Sequence, residues 1–138
     1  MTLLQLVHRI ETVAAAQPSV NLVVPNDVFA LNSIQDARYG VFAWTQGQHE
    51  ESVEGYALTC RFSFFYVDRL TDDASNRLEV QSVGIQTLGN IIRTLAAEFD
   101  IPAWTYTTFN QRFADLCAGA YASVTINIPV TSICPENF

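Results

Sequence analysis

Near the start of the sequence, apolar residues recur at steps of three and four, the spacing of one face of a helix. The residues in this pattern are Leu3, Leu6, Val7, Ile10, Val13 and Ala14. Thr2 supplies a favourable N-cap, and Pro18, followed by Ser19, ends the pattern. We therefore predict an amphipathic N-terminal helix of about four turns.

Three shorter runs after this helix predict strands. Residues 20–24 are rich in valine, residues 39–46 are rich in aromatic side chains, and residues 54–68 alternate between two faces. One face of the third run carries Tyr56, Leu58, Cys60, Phe62, Phe64 and Tyr66. The polar segment 46–52 predicts a tip that joins the last two runs in an antiparallel hairpin. At roughly 3.3 Å per residue, its second arm is long enough to project from the domain.

A second helical pattern begins at Thr71-Asp72-Asp73 and continues to Phe99. Gly84 and Gly89 lie inside it, and they predict close packing of this helix on a sheet, with a kink or hinge as the alternative. Asp100-Ile101-Pro102 ends the helix, and residues 103–108 and 120–130 predict two further strands.

The order of these elements predicts one α+β domain over residues 1–138. We expect an antiparallel sheet of about four to five strands with a long hairpin, packed by two helices. One helix is N-terminal, and the other is long and central.

The composition narrows the function classes. Apolar residues make up 49% of the chain and charged residues only 15%, which excludes a disordered chain. The net charge is −7 and every basic residue is arginine, so we expect no sequence-specific nucleic-acid binding and no lysine-dependent chemistry. No apolar run reaches the length of a membrane span, so we expect no membrane partner. Three cysteines without close pairs favour reduced thiols in the cytoplasm.

Candidate chemical groups are few and scattered. A Cys–His pair, or a zinc site, would have to be drawn from residues that are far apart in sequence: His8, His49, Cys60, Cys117 and Cys134. Carboxylates cluster at a predicted hairpin tip and at a predicted helix start, where we expect them to be solvated: Glu50, Glu51, Glu54, Asp72 and Asp73. We therefore predict no catalytic residue, no metal site and no cofactor.

The run 54–68 is apolar on both faces, because Phe65 and Val67 lie opposite Phe64 and Tyr66. A strand buried on one face alternates with polar residues, so the second face needs a partner, either another part of the chain or another subunit. The aromatic residues and the arginine-only basic set are typical of interfaces. We favour a homo-oligomer over a monomer with an aromatic core. The candidate interface residues are Phe65, Val67, Phe64, Tyr66, Trp44 and Arg61.

The order of elements resembles that of the tail-terminator and head–tail completion proteins of tailed bacteriophages and prophages. Two stretches are similar to small proteins of phage tail modules: Tyr66-Val67-Asp68-Arg69-Leu70 leading into residues 76–95, and residues 112–119. The resemblance implies a non-enzymatic structural subunit of a ring at the tail end or the head–tail joint. It also implies other tail or connector proteins as partners, and a location in the virion, with the host cytoplasm before assembly.

Two other functions remain open from the sequence. The first is an oligomeric adaptor or ligand-binding α+β domain of a bacterium, and the second is a small cytosolic enzyme. The mass of the particle in solution separates the ring from both, because a ring has several times the mass of one chain.

Overall fold

The computed structural model of the protein describes residues 2–24, 40–52, 55, 57–70, 75–110 and 117–129. Within them, two helices pack on one six-stranded, mostly antiparallel sheet, which confirms the α+β fold. The helices are α1 (Leu3–Ala15) and α2 (Arg77–Ala96). The strands are β1 (Leu22–Val24), β2 (Val41–Gln46), β3 (Glu50–Glu51), β4 (Ala57–Arg69), β5 (Trp104–Asn110) and β6 (Cys117–Pro129).

The strands lie in the order β1-β2-β4-β6-β5, and β3 pairs with β4 beside β2. β1 runs parallel to β2, and every other described pair is antiparallel. The sheet therefore has more strands than the four to five that we predicted. The additional strand is β3, because the backbone of Glu50 and Glu51 pairs with Thr59 and Leu58 in the segment expected to be a hairpin tip.

The hairpin of β2 and β4 is confirmed, with Val41 opposite Val67 and Gln46 opposite Phe62. It does not project from the sheet, because β6 pairs with β4 along its whole length, from Ala57 opposite Pro129 to Arg69 opposite Cys117. A 13-residue strand is stable within this domain because its neighbour has the same length.

The N-terminal helix forms as predicted. The Thr2 side chain accepts a hydrogen bond from the Gln5 backbone N–H at 3.2 Å, and the Thr2 N–H donates to the Gln5 side chain at 2.8 Å. This capping box satisfies two backbone N–H groups at the helix start. The buried stripe consists of Leu6, Ile10, Val13 and Ala14.

The central helix begins at Arg77 and ends at Ala96, three residues before the predicted end. The predicted start at Thr71-Asp72-Asp73 lies outside the described residues. The prediction of close packing at Gly84 is confirmed, because a Cβ there would lie 3.2 Å from the Tyr66 ring and 3.3 Å from the Ala120 nitrogen. At Gly89, a Cβ would lie 2.8 Å from the Tyr106 hydroxyl.

Both helices lie on one face of the sheet, which we call the covered face; the opposite face is the outer face. The side chains of the covered face form the main core with α1 and α2. Its largest members on the two long strands are Phe62, Phe64, Tyr66, Val124, Ile126 and Ile128. The predicted alternation of β4 is therefore confirmed for Cys60 to Tyr66, while Tyr56 lies outside the described residues.

Candidate functional site

One end of the outer face is apolar. Its buried cluster consists of Val24, Val41, Ala43, Phe65, Val67, Phe109 and Cys117. The Phe65 and Tyr121 rings pack with their centroids 5.3 Å apart. Val41 and Val67 have no exposed surface, although both described helices lie on the covered face. This end of the outer face is therefore a second, smaller core.

The other end of the outer face is polar. Cross-strand pairing places four hydroxyl side chains in one row: Thr45, Ser63, Ser123 and Thr105. Beside this row, Arg61 forms an ion pair with Glu50 at 2.9 Å and donates to the Gln48 carbonyl at 3.1 Å. The Thr59 hydroxyl donates to the Asn127 side-chain oxygen at 2.8 Å. The polar end is thus rich in hydroxyl groups, and it contains a pocket of about 210 Å³ that is lined in part by Arg61, Ser63 and Ser123.

Five of the six predicted interface residues are covered by the folded chain. Phe64, Tyr66 and Trp44 lie in the main core, and Phe65 and Val67 lie in the cluster on the outer face. Arg61 differs, because 43% of its side chain is exposed. The prediction that these residues contact another subunit stays a prediction.

Three described strands pair with one other strand only, namely β1, β3 and β5. β1 and β5 end the strand order and form its two edges, whereas the short strand β3, which carries Glu50 and Glu51, lies beside β2. β5 carries threonine and aromatic side chains and no charged residue. Native sheets usually protect such an edge with charges, proline or a bulge. Between this edge and α2 lies a groove of about 570 Å³, lined by Leu78, Gln81, Ser82, Ile85, Gln86 and Thr108. Leu78 is 78% exposed there.

The opposite edge has a comparable arrangement. A groove of about 620 Å³ runs between β1 and α1, lined by His8, Glu11, Thr12, Ala15 and Val23. A smaller groove of about 200 Å³ shares Ala15 and Val23 with it and is also lined by Val20, Asn21 and Leu22. Each sheet edge is therefore accompanied by an open groove beside a helix. The run without charges from Ile101 to Asn110 was the sequence signal for the β5 edge, but it could not show which strand ended the sheet.

The titratable candidates do not form a cluster in the described residues. His8 is exposed on α1, while the His49 ring accepts a hydrogen bond from the Arg61 backbone N–H at 3.2 Å and contacts the Gln46 side chain at 3.0 Å. Cys60 and Cys117 are buried, and burial raises the pKa of the Cys60 thiol. Within the described ranges, no group of three His, Cys, Asp or Glu could hold a metal ion. Cys134, Glu54, Asp72 and Asp73 lie outside those ranges.

Polar contacts fix the helices and loops on the covered face. The Trp44 indole N–H donates to Glu11 on α1 at 2.9 Å. Arg9 forms a two-pronged ion pair with Glu98 after α2, which lowers the pKa of the Glu98 carboxyl. Tyr66 donates to the Ser19 carbonyl at 3.3 Å, and burial together with Asp68 raises the pKa of Tyr66 to about 12. These contacts hold the helices and the segments that follow them on the sheet. The candidate functional surfaces are therefore the two sheet edges.

No helix within the described residues is long and apolar enough to cross a membrane.

A scan against protein-family models found no match for the chain, and a search of curated proteins also found no match. The surfaces of the described structure that bear on function are therefore the two sheet edges and their grooves.

Proposed function

We propose that the protein is a non-enzymatic assembly subunit whose copies form a ring at the tail end or the head–tail joint of a tailed phage or prophage. The observation that carries the proposal is that two uncharged strands, β1 and β5, end the order of the described strands on opposite sides of one sheet. We infer the particular kind of ring from the order of elements, which resembles that of tail-terminator and completion proteins.

A ring of identical subunits needs two different contact patches on each subunit, placed so that the rotation between copies closes. The β1 and β5 edges meet this requirement, since they lie at opposite ends of the strand order. The exposed backbone groups of an edge strand are satisfied when another strand pairs with them. Assembly would therefore satisfy those backbone groups of the edge strands that the subunit itself does not satisfy, in contrast to the Phe109 carbonyl of β5, which accepts a hydrogen bond from the Gln81 side chain at 3.2 Å.

The proposal is tested by measuring the mass of the purified protein by light scattering over a series of concentrations. The expected result is a mass several times that of one chain, or a mass that rises with concentration, with ring-shaped particles in negative-stain electron microscopy. A single chain at every concentration, with no rings, would contradict the proposal.

The groove between α2 and β5 favours a second candidate function, a ligand-binding or adaptor domain. Its lining combines apolar Leu78 and Ile85 with the amides of Gln81 and Gln86, a mixture that suits a small ligand or a peptide. This alternative predicts a monomer or dimer in which Leu78→Ala weakens ligand binding. In the ring, the groove lies at a contact between copies, so Leu78→Ala would instead reduce the mass of the particle.

A further inference from the structure

We propose that the contact between neighbouring copies is a continuation of the sheet, in which β5 of one copy pairs antiparallel with β1 of the next. This inference rests on the proposed function, because it names the surface through which the ring forms. It joins two opposite edges of the sheet and leaves both helices of every copy on the same face.

The directions of the described strands support this pairing. β4 runs opposite to β2 and β6, β5 runs opposite to β6, and β1 runs parallel to β2. Therefore β5 points along β4, and β1 points against it. When copies are arranged side by side with their strands aligned, β5 of one copy and β1 of the next are antiparallel neighbours, and such pairs are slightly more stable than parallel ones.

The distribution of charge supports the same pairing. No charged residue occurs between Thr12 and Val24 or between Ile101 and Asn110, although the chain as a whole carries a net charge of −7. Two copies repel each other through their remaining charges, and two uncharged strands avoid placing like charges directly opposite each other in the backbone contact. Glu11, in the groove beside β1, is the nearest acidic residue on that side. Screening of that repulsion by salt should therefore strengthen the contact.

The grooves beside the edges provide space for the side chains of the added strand. Val23 packs toward the main core, whereas Leu22 packs toward the outer cluster. In the continued sheet, Val23 of the next copy lies on the covered side and faces the groove that contains Leu78 and Ile85. Leu22 of the next copy lies on the outer side beside Thr107. The contact thus buries the exposed Leu78 side chain together with the two edges.

The test is a cross-linking experiment with cysteines placed on the two edges. Cys134→Ser removes one native thiol, and the remaining Cys60 and Cys117 are buried. In this background, Thr107→Cys protein is mixed with Leu22→Cys protein and treated with a short bis-maleimide. A cross-link is expected in the mixture, and the double variant should give a ladder of products up to the ring. Either single variant alone should give at least tenfold less dimer.

Two results would overturn this contact while leaving the ring intact. The first is efficient dimer formation by Thr107→Cys alone, which would mean that β5 pairs with β5. The second is a ring mass by light scattering with no cross-link from the mixture or from a second pair, Thr108→Cys with Val23→Cys. A protein that stays a single chain at all concentrations and salt levels would overturn both the contact and the proposed function.

A matched pair of lysine variants provides an independent measurement. Thr107→Lys places a charge on the β5 edge, whereas Ser123→Lys places the same charge on β6, between two other strands. Both residues are exposed on the outer face, so both variants should fold. We expect Thr107→Lys to raise the concentration for half-assembly at least tenfold and Ser123→Lys to leave it nearly unchanged. Equal effects of the two variants would overturn the edge contact.

Discussion

The two faces of the sheet are built from the same strands but stabilised in different ways. On the covered face, every second residue of β4 and β6 from Cys60 to Tyr66 and from Ala120 to Ile128 packs beneath α1 and α2. The outer face has an apolar cluster at one end and a hydroxyl-rich surface at the other. Adjacent residues of one strand therefore lie in different environments. The same substitution can be made at two neighbouring residues, one on the covered face and one on the outer face, and the two effects compared.

The largest difference in the effect of a substitution on stability is expected between Ile126 and Thr125, which are neighbours on β6. Ile126→Asp places a charge in the main core, where Ile126 has no exposed surface, so we expect the chain to unfold. Thr125→Asp places the same charge opposite Arg61 on the outer face, and we expect a change within about 0.5 kcal/mol. Urea unfolding followed by circular dichroism measures both. Similar destabilisation by the two variants would show that the outer face is also covered at Thr125.

A smaller difference is expected between Phe64 and Phe65 on β4. Phe64→Ala removes a fully buried ring from the main core and should cost about 3 to 5 kcal/mol of unfolding free energy. Phe65 is 7% exposed and packs on Tyr121 in the smaller cluster, so Phe65→Ala should cost less, about 3 kcal/mol.

Phe65 also bears on the predicted subunit interface. Loss of assembly by Phe65→Ala at full monomer stability would contradict its placement in the core of the single chain. Equal losses of stability and assembly would agree with that placement.

The hydroxyl of Tyr66 should make the covered face sensitive to alkali. The folded chain raises the pKa of Tyr66 to about 12, whereas an unfolded tyrosine ionises near pH 10. The folded state thus resists ionisation of this hydroxyl. The contribution of Tyr66 to the free energy of unfolding is fully present below about pH 10, and about 2 to 3 kcal/mol is lost as the pH rises toward 12. Tyr66→Phe should remove this part of the alkaline loss in urea midpoints measured from pH 9 to 12. An unchanged profile would show that Tyr66 is accessible to solvent in the folded chain.

The smallest effects concern one hydroxyl contact on each face. The Thr87 hydroxyl lies 2.6 Å from the Ser19 hydroxyl beneath the helices, and Thr87→Val should cost about 1 kcal/mol. On the outer face, Thr59→Val removes a donor from Asn127, whose side chain also donates to Asp100, and should cost less than about 0.5 kcal/mol. Thermal unfolding compares the two variants. A larger loss of stability for Thr59→Val than for Thr87→Val would mean that the hydroxyl contacts of the outer face contribute more to stability than the contact beneath the helices.

Much of the fold could be predicted because the relevant signals are local. The helical spacing from Leu3 to Ala14 and the Thr2 cap depend on residues within one helix turn, and the structure confirms both. The alternation of side chains along β4 likewise indicates two faces of the strand, regardless of which elements cover each face. The strand count was low because pairing of Glu50 and Glu51 with β4 depends on backbone geometry and has no side-chain signature.

The surfaces were harder to predict than the elements. The apolar residues on both faces of β4 correctly indicated two partners, but the sequence left open whether these were parts of the chain or another subunit. The structure places Phe64 and Tyr66 under the helices and Phe65 and Val67 in the outer cluster. The β5 edge was not singled out, because an uncharged strand is conspicuous only when its position at the end of the sheet is known.

Residue type and spacing along the chain are enough to predict the two helices and the alternation of the long strands, and they also show the scarcity of charge. The strand order, the parallel position of β1, the full-length pairing of β4 with β6 and the two strands that end the described order could be learned only from the folded chain. The reason is physical: backbone hydrogen bonds between distant strands are made by groups that every residue carries, so residue types do not encode which strands become neighbours.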